Sequence, residues 1–234
     1  MVSTRALVRG GAGIIYRPLP SAVERCRMPT ATPVVNVAII AVTCIVSFMA
    51  FSNPQLLQRL ILWPPAITRG REYWRLATCG LIHADPPHLL FNMITLYFFG
   101  ASIERFYTQH TGVLGYLLFY VGGLVVSSLP SWQRHRDDAG YRSLGASGAV
   151  SAVLFAFILW HPWTTIYVFV LPVPAILYAV AYIAYTIHMD RQRSDNVNHS
   201  AHLWGAAYGV VATVLVEPRL LGAFFGQLLR PSLM

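Results

Sequence analysis

Long apolar runs alternate along the chain with short polar stretches, and the runs have the length of membrane helices. Six of them approach the ~20 residues a helix needs to cross a bilayer: Val34 to Phe51, His88 to Glu104, Gly112 to Leu129, Leu144 to His161, Thr164 to Met189 and Ala201 to Val216. The connection between the first two is long and holds PQLLQRLILWPP. With only about ten apolar residues, that piece is too short to cross and suits the membrane interface. No repeat or low-complexity tract divides the chain. The pattern predicts an all-α membrane protein, a six-transmembrane-helix bundle over 34–216 with an arginine-rich N-terminal tail, 1–33, and a short C-terminal tail, 217–234.

Composition agrees with that pattern: 56% of residues are hydrophobic and 11% charged, against about 25% charged in a soluble domain. All 17 basic side chains are arginine, and Arg5, Arg9, Arg17, Arg25 and Arg27 precede the first run, where Glu24 is the sole acid. Arginine beside the first span favours a cytoplasmic N-terminus. The remaining arginines fall in loops on both sides, so the overall count does not decide orientation. The expected location is a bacterial cytoplasmic membrane. The alternative is the mitochondrial inner membrane, because the same arginine-rich, acid-poor segment has the character of a transit peptide and Met28 is a second candidate start. The arginines form no stripe and no recognition motif, which excludes nucleic acid as a partner. Cys26, Cys44 and Cys79 have neither paired nor metal-like spacing. The oligomeric state is left open.

Candidate chemistry follows from the topology. The second, fourth and sixth runs cross in the same direction, so their N-terminal ends share one membrane face. At those ends stand His88 and Asn92, an i, i+4 pair, Ser147 three residues into the fourth run, and His202 one residue into the sixth. At 1.5 Å rise per residue the four polar groups lie within one or two turns of a common depth. Taken singly, a serine between small residues, a histidine near a helix end and an asparagine are ordinary packing or interfacial residues. Together in an apolar bundle they make a site, since polar groups in lipid are costly. The chemistry that fits is acyl transfer, with Ser147 as nucleophile and His202 as general base and then acid. The Ser147 backbone N–H, the Asn92 amide and His88 are the candidate oxyanion donors. Gly145 and Gly148 flank the serine. Gly205 and Gly209 form a G-x-x-x-G face one turn below His202 that lets the sixth helix approach the fourth.

HADPPHLLFN, GASGA and AHLWGAAYG, in that order and each at the start of an even-numbered run, resemble the rhomboid intramembrane serine proteases. The resemblance extends to Trp74 and Arg75 in the first connection and to Glu104 at the end of the second run. It implies a Ser147–His202 dyad without an aspartate, with His88 and Asn92 lining the oxyanion hole. It also implies substrates that are membrane proteins, cut in or near a transmembrane segment that enters from the lipid. One position departs: many rhomboids carry an aromatic residue four places after the nucleophile, stacked on the catalytic imidazole, and here that place is Ser151. The ring must then be positioned differently. The alternative function is that of an inactive rhomboid relative that binds membrane clients. Such relatives typically lack the serine or the histidine. No cofactor and no metal enter this chemistry: His83 with His88, or His199 with His202, are pairs without the partners that complete a four-ligand set. Of the two imidazoles in NHSAH, His202 lies inside the apolar run. His199 precedes it, and its expected place is the polar loop.

Overall fold

The computed structural model describes residues 33–168, 170–192 and 197–230. The arginine-rich segment, Cys26 and Met28 lie outside the described residues. After helix α1 (Val34–Ser52) the first connection folds as three short helices, α2 (Pro54–Leu60), α3 (Pro64–Gly70) and α4 (Arg75–Thr78), and a 3-10 turn at Cys79–Leu81. Then come α5 (Pro86–Thr95), a π turn (Leu96–Gly100), α6 (Ala101–Thr111), α7 (Val113–Arg134) and α8 (Ser147–Trp160). A hairpin of β1 (Thr165–Val168) and β2 (Leu171–Pro174) leads to α9 (Ala175–Gln192), α10 (His199–Val216) and α11 (Arg219–Leu228). Among the described residues, α1 and α7 are each long and apolar enough to cross a bilayer alone. The pair α10 and α11 passes the same test together but is bent by 116°, and α8 is apolar but shorter. The protein is a helix-rich integral membrane protein.

Helix α8 is the centre. Every residue from Gly148 to Leu159 is buried, as expected of a helix that is apolar all round and therefore has no face for water. Helices α7 and α10 pack on it most extensively. Its neighbours are tied by polar contacts that the apolar environment strengthens. Glu104, buried on α6, caps the N-terminus of α1 by accepting from Val35 N (3.0 Å) and Asn36 N (2.7 Å), where an anion meets the positive end of the helix dipole. The widened π turn interrupts the regular i to i+4 ladder. There the Asn36 amide donates to the Leu96 carbonyl at 3.0 Å, and its oxygen accepts from the Tyr116 hydroxyl at 2.8 Å.

Several boundaries differ from the hydrophobic pattern. The second run is longer than His88–Glu104, because α5 and α6 continue through the π turn from Pro86 to Thr111. The fifth run does not start a helix at Thr164. Thr165–Val168 and Leu171–Pro174 pair as a hairpin instead, in register Thr165 to Pro174, since Pro172 and Pro174 oppose helix and the β-branched residues favour strand. The fourth run starts its helix at Ser147 instead of Leu144, because Gly145 at φ 114° is in a conformation no helix contains. The segment 217–234 includes the helix α11, which Trp163 and Gln227 tie to the end of α8 (Trp163 Nε1 to Gln227 O, 2.9 Å).

Candidate active site

The first connection builds a frame for the segment that precedes α8. Arg75, buried, pairs with Glu72 and donates to the carbonyls of Gln58 and Ile61, both at 2.8 Å. Leu62 and Ser143 form an antiparallel bridge, N to O at 3.0 and 3.2 Å. Gly145 N donates to Cys79 O at 2.9 Å. His83 completes the frame. Burial first, and the neighbouring His88 second, hold its imidazole down to about 3, against the opposing pull of Asp85, so the ring is neutral at working pH. Its Nε2 accepts from Ala146 N at 3.3 Å. The proton therefore sits on Nδ1, which donates to Ser47 Oγ at 2.9 Å, and that hydroxyl donates to Leu81 O at 2.9 Å. The chain from α1 to the residue before Ser147 has one consistent direction.

Ser147 is the first residue of α8, so its own N–H belongs to the first turn, where no helical carbonyl reaches. The His88 ring lies against Gly145: a Cβ there would stand 2.6 Å from His88 Cε1. Both the space and the positive φ require glycine. Asn92 is buried one turn below His88, and its Nδ2 donates to the His88 carbonyl at 2.9 Å. One of its two amide hydrogens is thus committed and one remains.

Helix α10 starts two residues before Ala201. Asn198 is its N-cap, accepting from Ala201 N at 3.1 Å, and its amide nitrogen also donates to Ser131 Oγ (2.9 Å) and Ser143 Oγ (3.1 Å). An asparagine at this spacing is a sequence-level start signal, and it is the one that would have placed the boundary. His199 is accordingly in the first helical turn and buried, not in the loop expected of it. Its ring makes edge contacts with Tyr185 (5.9 Å) and His202 (6.0 Å). His202, one turn on, places Nε2 at 2.8 Å from Ser147 Oγ. This separation is that of a hydroxyl and the base that takes its proton.

The approach of α10 to α8 depends on Gly205 and Gly209. A Cβ at Gly205 would collide with the carbonyl of Gly148, and one at Gly209 with that of Ala152. Both obstacles are backbone and cannot swing aside. Gly205→Ala is therefore expected to lower stability by about 1–3 kcal/mol through overpacking and to stretch the Ser147–His202 contact. Gly222→Ala on α11, where a Cβ meets nothing within 4 Å, should instead raise stability by up to about 1 kcal/mol through helix propensity. Thermal unfolding in detergent measures both.

Ser151 lies four residues after Ser147 and is buried. Its hydroxyl meets the Tyr182 hydroxyl at 2.8 Å. The Tyr182 ring, from α9, is stacked with the His202 imidazole at 6.2 Å between centroids and 27° between planes. The aromatic neighbour of His202 therefore comes from a different helix, which no spacing in the sequence points to. The rings of His83 and His88 are 5.0 Å apart. Among the described residues, no group of three or more His, Cys, Asp or Glu side chains is arranged to hold a metal ion.

The family model described as Rhomboid domain matches residues 70–219. RHOMBOID-like protein 12, mitochondrial, of Arabidopsis thaliana is 37% identical over 149 residues, which are 58% of this chain and 44% of that protein. The putative rhomboid protease YdcA of Bacillus subtilis (strain 168) is 27% identical over 176 residues, 73% of this chain and 82% of the relative. Rhomboid protease GluP of the same organism is 28% identical over 163 residues, 70% of this chain and 30% of its own length. The chain thus spans less than half the length of the Arabidopsis relative and most of YdcA.

Proposed function

The chain belongs to the rhomboid family, and from that premise we propose that it is an intramembrane serine endopeptidase working through Ser147 and His202. The observation that carries the reading is the 2.8 Å contact between Ser147 Oγ and His202 Nε2, at the end of the bundle where loops meet the helices. His202 takes the Ser147 proton as Oγ attacks the scissile carbonyl. The oxyanion is met by the Ser147 N–H, the uncommitted hydrogen of the Asn92 amide and the His88 ring, with the positive end of α8 behind them. The intermediate collapses as the C–N bond breaks and His202 returns its proton to the leaving amine. Water then attacks the Ser147 ester, again with His202 as base, and the carboxylate product leaves.

Six crossings, formed by α1, α5 with α6, α7, α8, α9 and α10, are part of the proposal, as is the division into a catalytic domain over 34–216 and two tails. The substrates are membrane proteins with a transmembrane segment, reached through the bilayer. The membrane is the bacterial cytoplasmic membrane with the N-terminus inside, or the mitochondrial inner membrane. The rival, an inactive client-binding relative, is disfavoured by the presence of both Ser147 and His202 in contact.

Asn92 tests the oxyanion assignment. Asn92→Ala should lower kcat by about 10²-fold with KM little changed, because the lost donor acts on the transition state alone. Wild-type kcat with a lowered melting temperature would make Asn92 interhelical glue instead.

A further inference from the structure

An imidazole that serves as a base must hold its nitrogen within hydrogen-bond reach of the hydroxyl, yet the last torsion of a histidine side chain has a broad, shallow profile. The contact with Ser147 holds His202 at Nε2, and a neighbour stacked on the face of the ring restricts its plane. Gly205, one turn below, offers no side chain. Beside the ring stand His199, edge-on at 6.0 Å, and Tyr182, which covers its face at 6.2 Å and 27°, within the range of offset aromatic pairs. Tyr182 is itself held on several sides. Its ring is stacked with Tyr178 at 5.8 Å and 29° and leans on Phe155 at 5.6 Å. Its hydroxyl meets Ser151 Oγ at 2.8 Å.

Ser151 is one helical turn from Ser147 on the same rigid element, about 6 Å along the axis. The contacts therefore close a circuit: Ser147 to His202, His202 to Tyr182, Tyr182 to Ser151, and Ser151 back to Ser147 through one turn of α8. The helix that carries the nucleophile also fixes, through α9, the ring that orients the base on α10. We propose that Tyr182 is a positioning residue for His202, with the Ser151 hydroxyl as its anchor. The proposal rests on the reading of Ser147 and His202 as nucleophile and base. It assigns to α9 a part in catalysis although α9 supplies no group to the reaction.

The test compares the full chain in detergent with Tyr182→Phe, Tyr182→Ala, Ser151→Ala and the double variant Tyr182→Phe with Ser151→Ala. The readouts are the labelling rate with a fluorophosphonate and the kcat and KM on a transmembrane reporter. Tyr182→Ala should lower kcat and the labelling rate together by about tenfold or more, with KM unchanged, as expected when a reacting group loses its alignment. Tyr182→Phe keeps the ring and should recover most of that loss, labelling about two- to threefold more slowly than wild type. Ser151→Ala should match it, and the double variant should be no slower than either single one, because both remove the same bond. Wild-type labelling by Tyr182→Ala, or Tyr182→Phe as slow as Tyr182→Ala, overturns the proposal. So do additive losses in the double variant. Should Tyr182→Ala fail to fold, Ser151→Ala decides: slowed labelling at an unchanged melting temperature supports the anchor, and an unchanged rate sinks it. A wild-type protein that is not labelled at all would instead remove the serine-protease reading beneath it.

Discussion

Ser147→Ala is expected to lower cleavage of a transmembrane reporter by about 10⁴-fold or more. The reason is chemical and not structural. Alanine is the best helix former, the first position of α8 tolerates it, and the side-chain bond removed is the one to His202, of about 1 kcal/mol. The melting temperature should therefore stay within a few degrees of wild type while activity falls. Cleavage at the wild-type rate by this variant would end the assignment of Ser147.

The second large effect separates two histidines one turn apart on α10. His202→Ala should reduce turnover and fluorophosphonate labelling together, on the scale of the Ser147 variant, because an unassisted hydroxyl stays protonated. His199→Ala should act differently. The ring is 5% exposed and packed against Tyr185 and His202, so its loss leaves a cavity and lowers stability by about 2 kcal/mol or more. Labelling of the protein that remains folded should change only modestly. Measuring melting temperature and labelling rate for both variants reads the two roles independently. A dead His199 variant beside an active His202 variant would reverse the assignment of the base.

The parts legible in the sequence and the parts that were not divide on physical grounds. Membrane character and helical class follow from runs whose apolarity has no other use in water. The proximity of Ser147 and His202 follows from parity, since even-numbered runs begin on one face, and from the small residues at Gly205 and Gly209 that let two backbones touch. Hydropathy alone did not separate strand from helix over Thr165–Pro174, because an apolar run of that length suits both. Pro172 and Pro174 carried the information. The start of α10 was hidden because hydropathy marks the apolar part of a helix and not its polar first turn. Asn198 marked the true start by its capping chemistry. In the sequence Gly145 shows only as a residue flanking Ser147, whereas its part in ending the loop comes from its positive φ. The Tyr182–His202 contact was not legible by any local rule: it depends on the rotation of α9, which is a property of packing. Ser151, by contrast, showed in the sequence that an expected ring was missing, though not where its replacement stood.

The central claim is that Ser147 is a hydroxyl activated by His202, and covalent labelling examines it most directly. Full-length protein in detergent, treated with a fluorophosphonate and digested for peptide mapping by mass spectrometry, should carry one adduct on Ser147, and the same adduct should form far more slowly in His202→Ala. An unmodified Ser147, or an adduct on another residue while a transmembrane substrate is still cleaved, would contradict the account.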